Sequence, residues 1–163
     1  MDVNGITGTL YLVDSKLSIT AKRESLTIPN GTGWSPDHRT LYFNHSSDQQ
    51  ILAFSYDESG LIRNERVLYH HKGEGVPDGL RMDEEGNLWT AIHGEGKVLR
   101  ISPQGEVLGV INFPVPTVTC PVFVGTELFV TSEDDGKSEF GGAVFRIDVG
   151  VKGMEIFKFR LDA

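Results

Sequence analysis

Two oxygen-bearing side chains stand at the same phase of a repeated block, and their chemistry is that of hard-cation ligands. Asn30 begins the run Asn30-Gly31-Thr32-Gly33-Trp34-Ser35-Pro36-Asp37, which leads to Thr40-Leu41-Tyr42-Phe43. Asp78 lies in Pro77-Asp78-Gly79-Leu80-Arg81-Met82-Asp83, which leads to Gly86-Asn87-Leu88-Trp89. An amide carbonyl oxygen and a carboxylate suit Ca²⁺, Mg²⁺ or Mn²⁺. Taken singly, Asn-Gly and Pro-Asp-Gly are ordinary turn sequences. Their shared phase argues for more, because both fall at the entry to the innermost strand of adjacent repeats. Two protein ligands are too few for a tight site, so at least one more must come from elsewhere.

The elements that would position them follow from the repeat. A third, degraded copy runs Thr119-Cys120-Pro121-Val122-Phe123-Val124-Gly125-Thr126-Glu127-Leu128-Phe129-Val130. In each copy a short apolar strand meets a tight polar turn, then Leu plus an aromatic opens a second strand. Tyr42 and Trp89 are 47 positions apart, and Trp89 and Phe129 are 40 apart. That period, with four short strands per unit, predicts a β-propeller whose equivalent inner positions converge on one axis.

The second copy predicts strands at 79–82, 88–93, 97–102 and 107–113. The first predicts an inner strand beginning at Trp34, then strands at 41–44, 51–56 and 62–69. The third predicts a long exposed acidic loop from Glu133 to Gly142, a strand at 143–148, and a fourth strand carrying Phe157, Phe159 and Leu161. Ahead of these, 8–14 resembles a third strand and 26–28 a fourth. The expected fold is therefore all-β, a partial propeller of about three and a half four-stranded blades forming a single region, 1–163. Three and a half blades cannot close a ring, and the open edges favour pairing. The chain reads as a piece of a longer propeller, truncated at its N-terminus; association with a second copy is the alternative.

Other reactive residues have simpler readings. His38, His45, His70, His71 and His93 show no zinc spacing and are read as surface or turn residues. On a strand, His70 and His71 point to opposite faces. Cys120 is read as a buried structural thiol, since no flanking residue obviously lowers its pKa. Trp34, Tyr42, Trp89 and Phe129 are read as core. No Gly-x-Ser-x-Gly elbow supports a serine hydrolase. Gly94-Glu95-Gly96 is read as a hairpin turn, because no helix follows it to bind phosphate.

The chain has 163 residues and a net charge of −8, with 39% hydrophobic and 23% charged residues. This is the composition of a globular domain. The acidic balance argues against a nucleic-acid partner. A single cysteine excludes an intrachain disulfide and points to a reduced, cytoplasmic setting. Residues 1–10 show no signal peptide, and no apolar run approaches the roughly 20 residues of a membrane span, so no membrane partner is expected.

The motifs together resemble the SMP-30/gluconolactonase/LRE-like family, the regucalcin and gluconolactonase group. The matching pieces are Ile28-Pro29-Asn30-Gly31, Gly33-Trp34-Ser35-Pro36-Asp37, Pro77-Asp78-Gly79, Gly86-Asn87-Leu88-Trp89, Gly96-Lys97-Val98-Leu99-Arg100-Ile101-Ser102-Pro103 and Val149-Gly150-Val151-Lys152-Gly153. The resemblance implies a six-bladed propeller with one divalent ion, Ca²⁺, Zn²⁺, Mn²⁺ or Mg²⁺, on its axis. It implies metal-dependent hydrolysis of sugar-type lactones, with Asn30 and Asp78 as metal ligands and Asp78 also the general base. A further Glu ligand, and Arg and Asn contacts to substrate, belong to family positions that precede this chain. Asn44-His45-Ser46 stands where many members carry Asp-Ser. The expected partner is a small lactone, with self-association through open propeller edges. The alternative function is a catalytically inactive, propeller-derived metal-binding or interaction module.

Overall fold

The computed structural model describes residues 8–156, 158, 159 and 161. Within them, thirteen strands form four antiparallel sheets. Strands β1 (Gly8–Val13) and β2 (Ile19–Leu26) form a two-stranded sheet. The first full sheet holds β3 (Pro29–Trp34), β4 (Thr40–His45), β5 (Gln50–Tyr56) and β6 (Ile62–His70) in chain order. The second holds β7 (Val76–Met82), β8 (Leu88–His93), β9 (Lys97–Ile101) and β10 (Val107–Asn112). The third holds β11 (Val118–Val124), β12 (Glu127–Ser132) and β13 (Val144–Asp148). A single 3₁₀ turn, Ser46–Asp48, interrupts the strands, and among the described residues no helix is long and apolar enough to cross a membrane.

Side-chain alternation explains why the sheets stack face to face. Along β4, Leu41 and Phe43 face a cluster with Leu26, Leu52 and Phe54, while Tyr42 faces the opposite way. Tyr42, Ile51, Ala53 and Leu68 of the first sheet pack against Leu80, Met82, Leu88, Ile92, Leu99 and Ile101 of the second. From the other face of the second sheet, Trp89, Ala91 and Val98 pack against Val115, Val118, Leu128 and Val130. Each middle sheet is thus apolar on both faces, as a propeller blade must be. The inner strands β3, β7 and β11 lie side by side. The two outermost sheets leave apolar side chains in solvent: Tyr11 and Ile19 on one, Val124 and Val144 on the other.

Several strand limits differ from expectation. The strand paired with β1 is Ile19–Leu26, preceded by a tight turn in which Asp14 Oδ1 accepts from the Lys16 and Ser18 amides. The inner strand β3 ends at Trp34 and does not begin there. The third sheet has three strands among the described residues, and the expected fourth falls partly on Phe157, which lies outside them. The preceding segment crosses to the second sheet. There the Glu84 amide donates to the Lys152 carbonyl and the Met154 amide to the Met82 carbonyl. Gly153 is required at this crossing, since a Cβ would lie 2.1 Å from the Phe123 Cβ.

Candidate active site at three inner-strand bulges

All three inner strands break register at the same place. Pro29 pairs with His45 and Thr32 with Phe43; Pro77 pairs with Ile92 and Leu80 with Thr90; Val118 pairs with Ser132 and Pro121 with Val130. In each case the inner strand holds one residue more than its partner, which is a β-bulge. The bulged pairs are Asn30-Gly31, Asp78-Gly79 and Thr119-Cys120. The Asn-Gly and Asp-Gly dipeptides are therefore not tight turns. A Cβ at Gly31 would lie 2.5 Å from the Leu80 amide nitrogen, and one at Gly79 would lie 2.7 Å from the Cys120 Cα. Glycine stands there so that one inner strand can approach the next.

This approach brings Asn30 and Asp78 together. The Asn30 amide lies close enough to the Asp78 carboxyl to favour its charged form, and it donates to Ser46 Oγ at 3.3 Å. Both residues are half-buried. Burial pushes the Asp78 carboxyl above the usual carboxylate range; the Asn30 amide and His93 oppose the rise, and the Glu133 charge adds to it. His93 and Glu133 form a pair of their own, Nε2 to Oε2 at 3.0 Å. Cys120 occupies the equivalent bulge of the third sheet. It is half-buried rather than fully buried, and burial raises its thiol pKa, Arg81 opposing and Asp78 adding. It is not poised as a nucleophile.

Other expectations are met unevenly. His70 ends β6 and is exposed, whereas His71, just past the strand, is buried, with its Nε2 3.1 Å from Glu95 Oε1. His45 is buried as well: Nδ1 lies 3.1 Å from Asp48 Oδ2, and Nε2 accepts from the Thr27 amide. Neither is a surface histidine, because each side chain closes a loop from inside: His71 lies in the connection after β6, and His45 caps the 3₁₀ turn. Tyr42 and Trp89 are core, while Trp34 and Phe129 are half-buried. The loop after β12 is largely exposed, and its acids serve the backbone: Asp135 Oδ1 accepts from the amides of Lys137 and Ser138.

Sequence reasoning missed Ser46, His93 and Glu133 as neighbours of the site. A signal was present, since each follows the strand-opening Leu41, Leu88 or Leu128 by five residues. The turn reading of Asp83 also missed its role. Its buried carboxylate accepts from the Asn87 amide, from Trp89 Nε1 at 2.9 Å and from Arg100 Nη2 at 2.8 Å.

As metal ligands, Asn30 and Asp78 offer one amide oxygen and one carboxylate. That hard-oxygen set fits part of a site for a divalent ion. Among the described residues, no group of three or more His, Cys, Asp or Glu side chains could complete one.

A family model described as "SMP-30/Gluconolactonase/LRE-like region" matches residues 1–134. Regucalcin of Gallus gallus is 35% identical over 166 residues, covering 93% of this chain and 56% of that protein. The solved luciferin-regenerating enzyme superposes with a TM-score of 0.89 at 33% identity, over 99% of this chain and 59% of that one. Regucalcin from Agrobacterium tumefaciens, described as a calcium-binding protein, superposes with a TM-score of 0.86 at 28% identity, over 99% and 58%. The chain thus spans somewhat more than half the length of these relatives.

Proposed function

The chain belongs to the SMP-30/gluconolactonase/LRE-like family, and we propose that it supplies Asn30 and Asp78 to the site of a divalent-metal-dependent hydrolase of sugar-type lactones. The observation that carries this reading is the meeting of an amide and a carboxylate at matching bulges of adjacent inner strands. A cation held by these two oxygens and by further ligands would polarise a lactone carbonyl and acidify a water. Asp78 takes the proton from the attacking water. Its raised pKa moves it toward the range in which a base is effective near neutrality. Water adds to the ester carbonyl, the ring C–O bond breaks, and the leaving alkoxide receives the proton that Asp78 had taken. Asn30, beside the carboxylate, would help to orient it. The His93–Glu133 pair offers a donor and an acceptor to ring hydroxyls at the rim.

The direct test is hydrolysis of glucono-δ-lactone, followed by acid release in a pH-stat, with Ca²⁺, Mg²⁺, Mn²⁺ or Zn²⁺ added. Turnover should require an ion and fall by about 10²–10⁴-fold in Asp78→Ala, the range for loss of a positioned base. Turnover that survives Asp78→Ala would refute the assignment. A second reading, a binding module without turnover, draws on the two-ligand count among the described residues. It predicts ion binding that depends on Asp78, with no acid release.

A further inference from the structure

A bulge takes backbone groups out of the sheet ladder, and a buried carbonyl left without a partner is costly. In β7 the interruption falls between Pro77 and Leu80. Three side chains meet the carbonyls there. Ser46 Oγ donates to the Pro77 carbonyl at 2.6 Å, Asn44 Nδ2 to the Asp78 carbonyl at 2.7 Å, and Thr90 Oγ1 to the Gly79 carbonyl at 3.3 Å. Two of the three are linked to each other, and the third is linked to Asn30. Asn44 Nδ2 also donates to Thr90 Oγ1 at 2.8 Å, and Ser46 Oγ accepts from Asn30 Nδ2. All three donors are buried.

We propose that Ser46, Asn44 and Thr90 are positioning residues that set the placement of Asp78 against Asn30. The proposal rests on the reading of Asn30 and Asp78 as metal ligands. Two of the three donors come from the neighbouring blade, Asn44 on β4 and Ser46 in the 3₁₀ turn after it, so the bulge is registered across the interface between blades as well as within its own ladder. The Ser46 hydroxyl touches both ligand-bearing segments: it receives the Asn30 amide and holds the carbonyl preceding Asp78. Removing it releases the separation of the two ligands. The Asn44 amide donates to both Asp78 and Thr90, while its buried Oδ1 has no partner among the described residues. An unsatisfied buried acceptor costs stability, so Asn44 is poorly explained as a device for stability alone.

The test uses Mn²⁺ alone, with free ion read by electron paramagnetic resonance, on Ser46→Ala and Thr90→Val. Ser102→Ala, which removes a buried hydroxyl that caps a remote turn, is the control. Each variant is also melted in EDTA. Mn²⁺ affinity should fall about 10–100-fold in the first two, the usual effect of losing a group that orients a ligand. It should stay unchanged in Ser102→Ala at a comparable loss of melting midpoint. Wild-type affinity in both Ser46→Ala and Thr90→Val would overturn the proposal. Failure of the metal reading is distinguishable, since then Asp78→Asn binds Mn²⁺ as the wild type does, or the wild type does not bind. In that event the ¹³C resonances of the metal-free chain decide. Ser46→Ala must move both the Pro77 carbonyl and the Asp78 carboxyl, and a carboxyl that stays in place overturns the proposal.

Discussion

A half-buried carboxylate is held in its charged form at a cost, and Asp78 is such a group. Because its folded pKa lies above the unfolded value, it favours the folded state at pH below the unfolded pKa, and this contribution is lost as pH rises through the folded pKa. In the metal-free chain, Asp78→Asn should therefore raise the melting midpoint at pH 7. The gap should close as pH falls toward 3, where both states are protonated. A variant that melts lower at pH 7, or a gap that ignores pH, would mean that burial does not dominate there. Asp83 is the opposite case. Burial is the largest influence and pushes it up, but hydrogen bonds from Trp89, Asn87 and Arg100 together hold it below the usual range. Removing it takes the acceptor from Trp89 Nε1 and the Asn87 amide, and leaves the Arg100 guanidinium, 5.5 Å over the Trp89 ring, with Glu85 Oε2 alone. Asp83→Ala should cost about 1–3 kcal/mol in urea unfolding, as for buried donors left unsatisfied; a loss under about 0.5 kcal/mol would contradict this.

At the scale of strands, the site depends on how closely inner strands approach. Gly79→Ala places a methyl 2.7 Å from both the Cys120 Cα and the Thr119 carbonyl, backbone atoms that cannot swing aside. Overpacking of this kind costs about 1–3 kcal/mol, and the same change should weaken ion binding by moving Asp78. Gly125→Ala meets nothing within 4 Å, although its φ of 62° makes it a strained rather than a neutral comparison. The strands were largely legible in the sequence: 88–93 coincides with β8, and 97–102 exceeds β9 by one residue. The phase that aligned Asn30 with Asp78 is the phase of the bulges. What could not be read was their nature. Asn-Gly and Asp-Gly favour turns locally, and only the neighbouring strand, packed where a Cβ would be, turns the glycine into a contact requirement. Nor could sequence show that His45 and His71 are buried, since their partners Asp48 and Glu95 close loops whose shape depends on the whole blade.

At the scale of the molecule, stacked sheets share three cores, and the outermost faces leave Tyr11, Ile19, Val124 and Val144 in solvent. The all-β stack was readable from the repeat, because two-sided apolar strands at that spacing have few other solutions; the family was readable only from the resemblance of motifs such as Ile28-Pro29-Asn30-Gly31 and Pro77-Asp78-Gly79. The central claim is that Asn30 and Asp78 together bind a divalent ion. The measurement that tests it most directly is a pair of thermal melts, wild type and Asp78→Asn, each with and without saturating Ca²⁺, Mn²⁺ or Zn²⁺. An ion that binds only the folded chain adds about 2.7 kcal/mol of stability at a hundredfold excess over Kd. The predicted result is an upward shift in the wild type with at least one ion, and none in Asp78→Asn. An equal shift in both proteins, or no shift in the wild type with any ion, would contradict the claim.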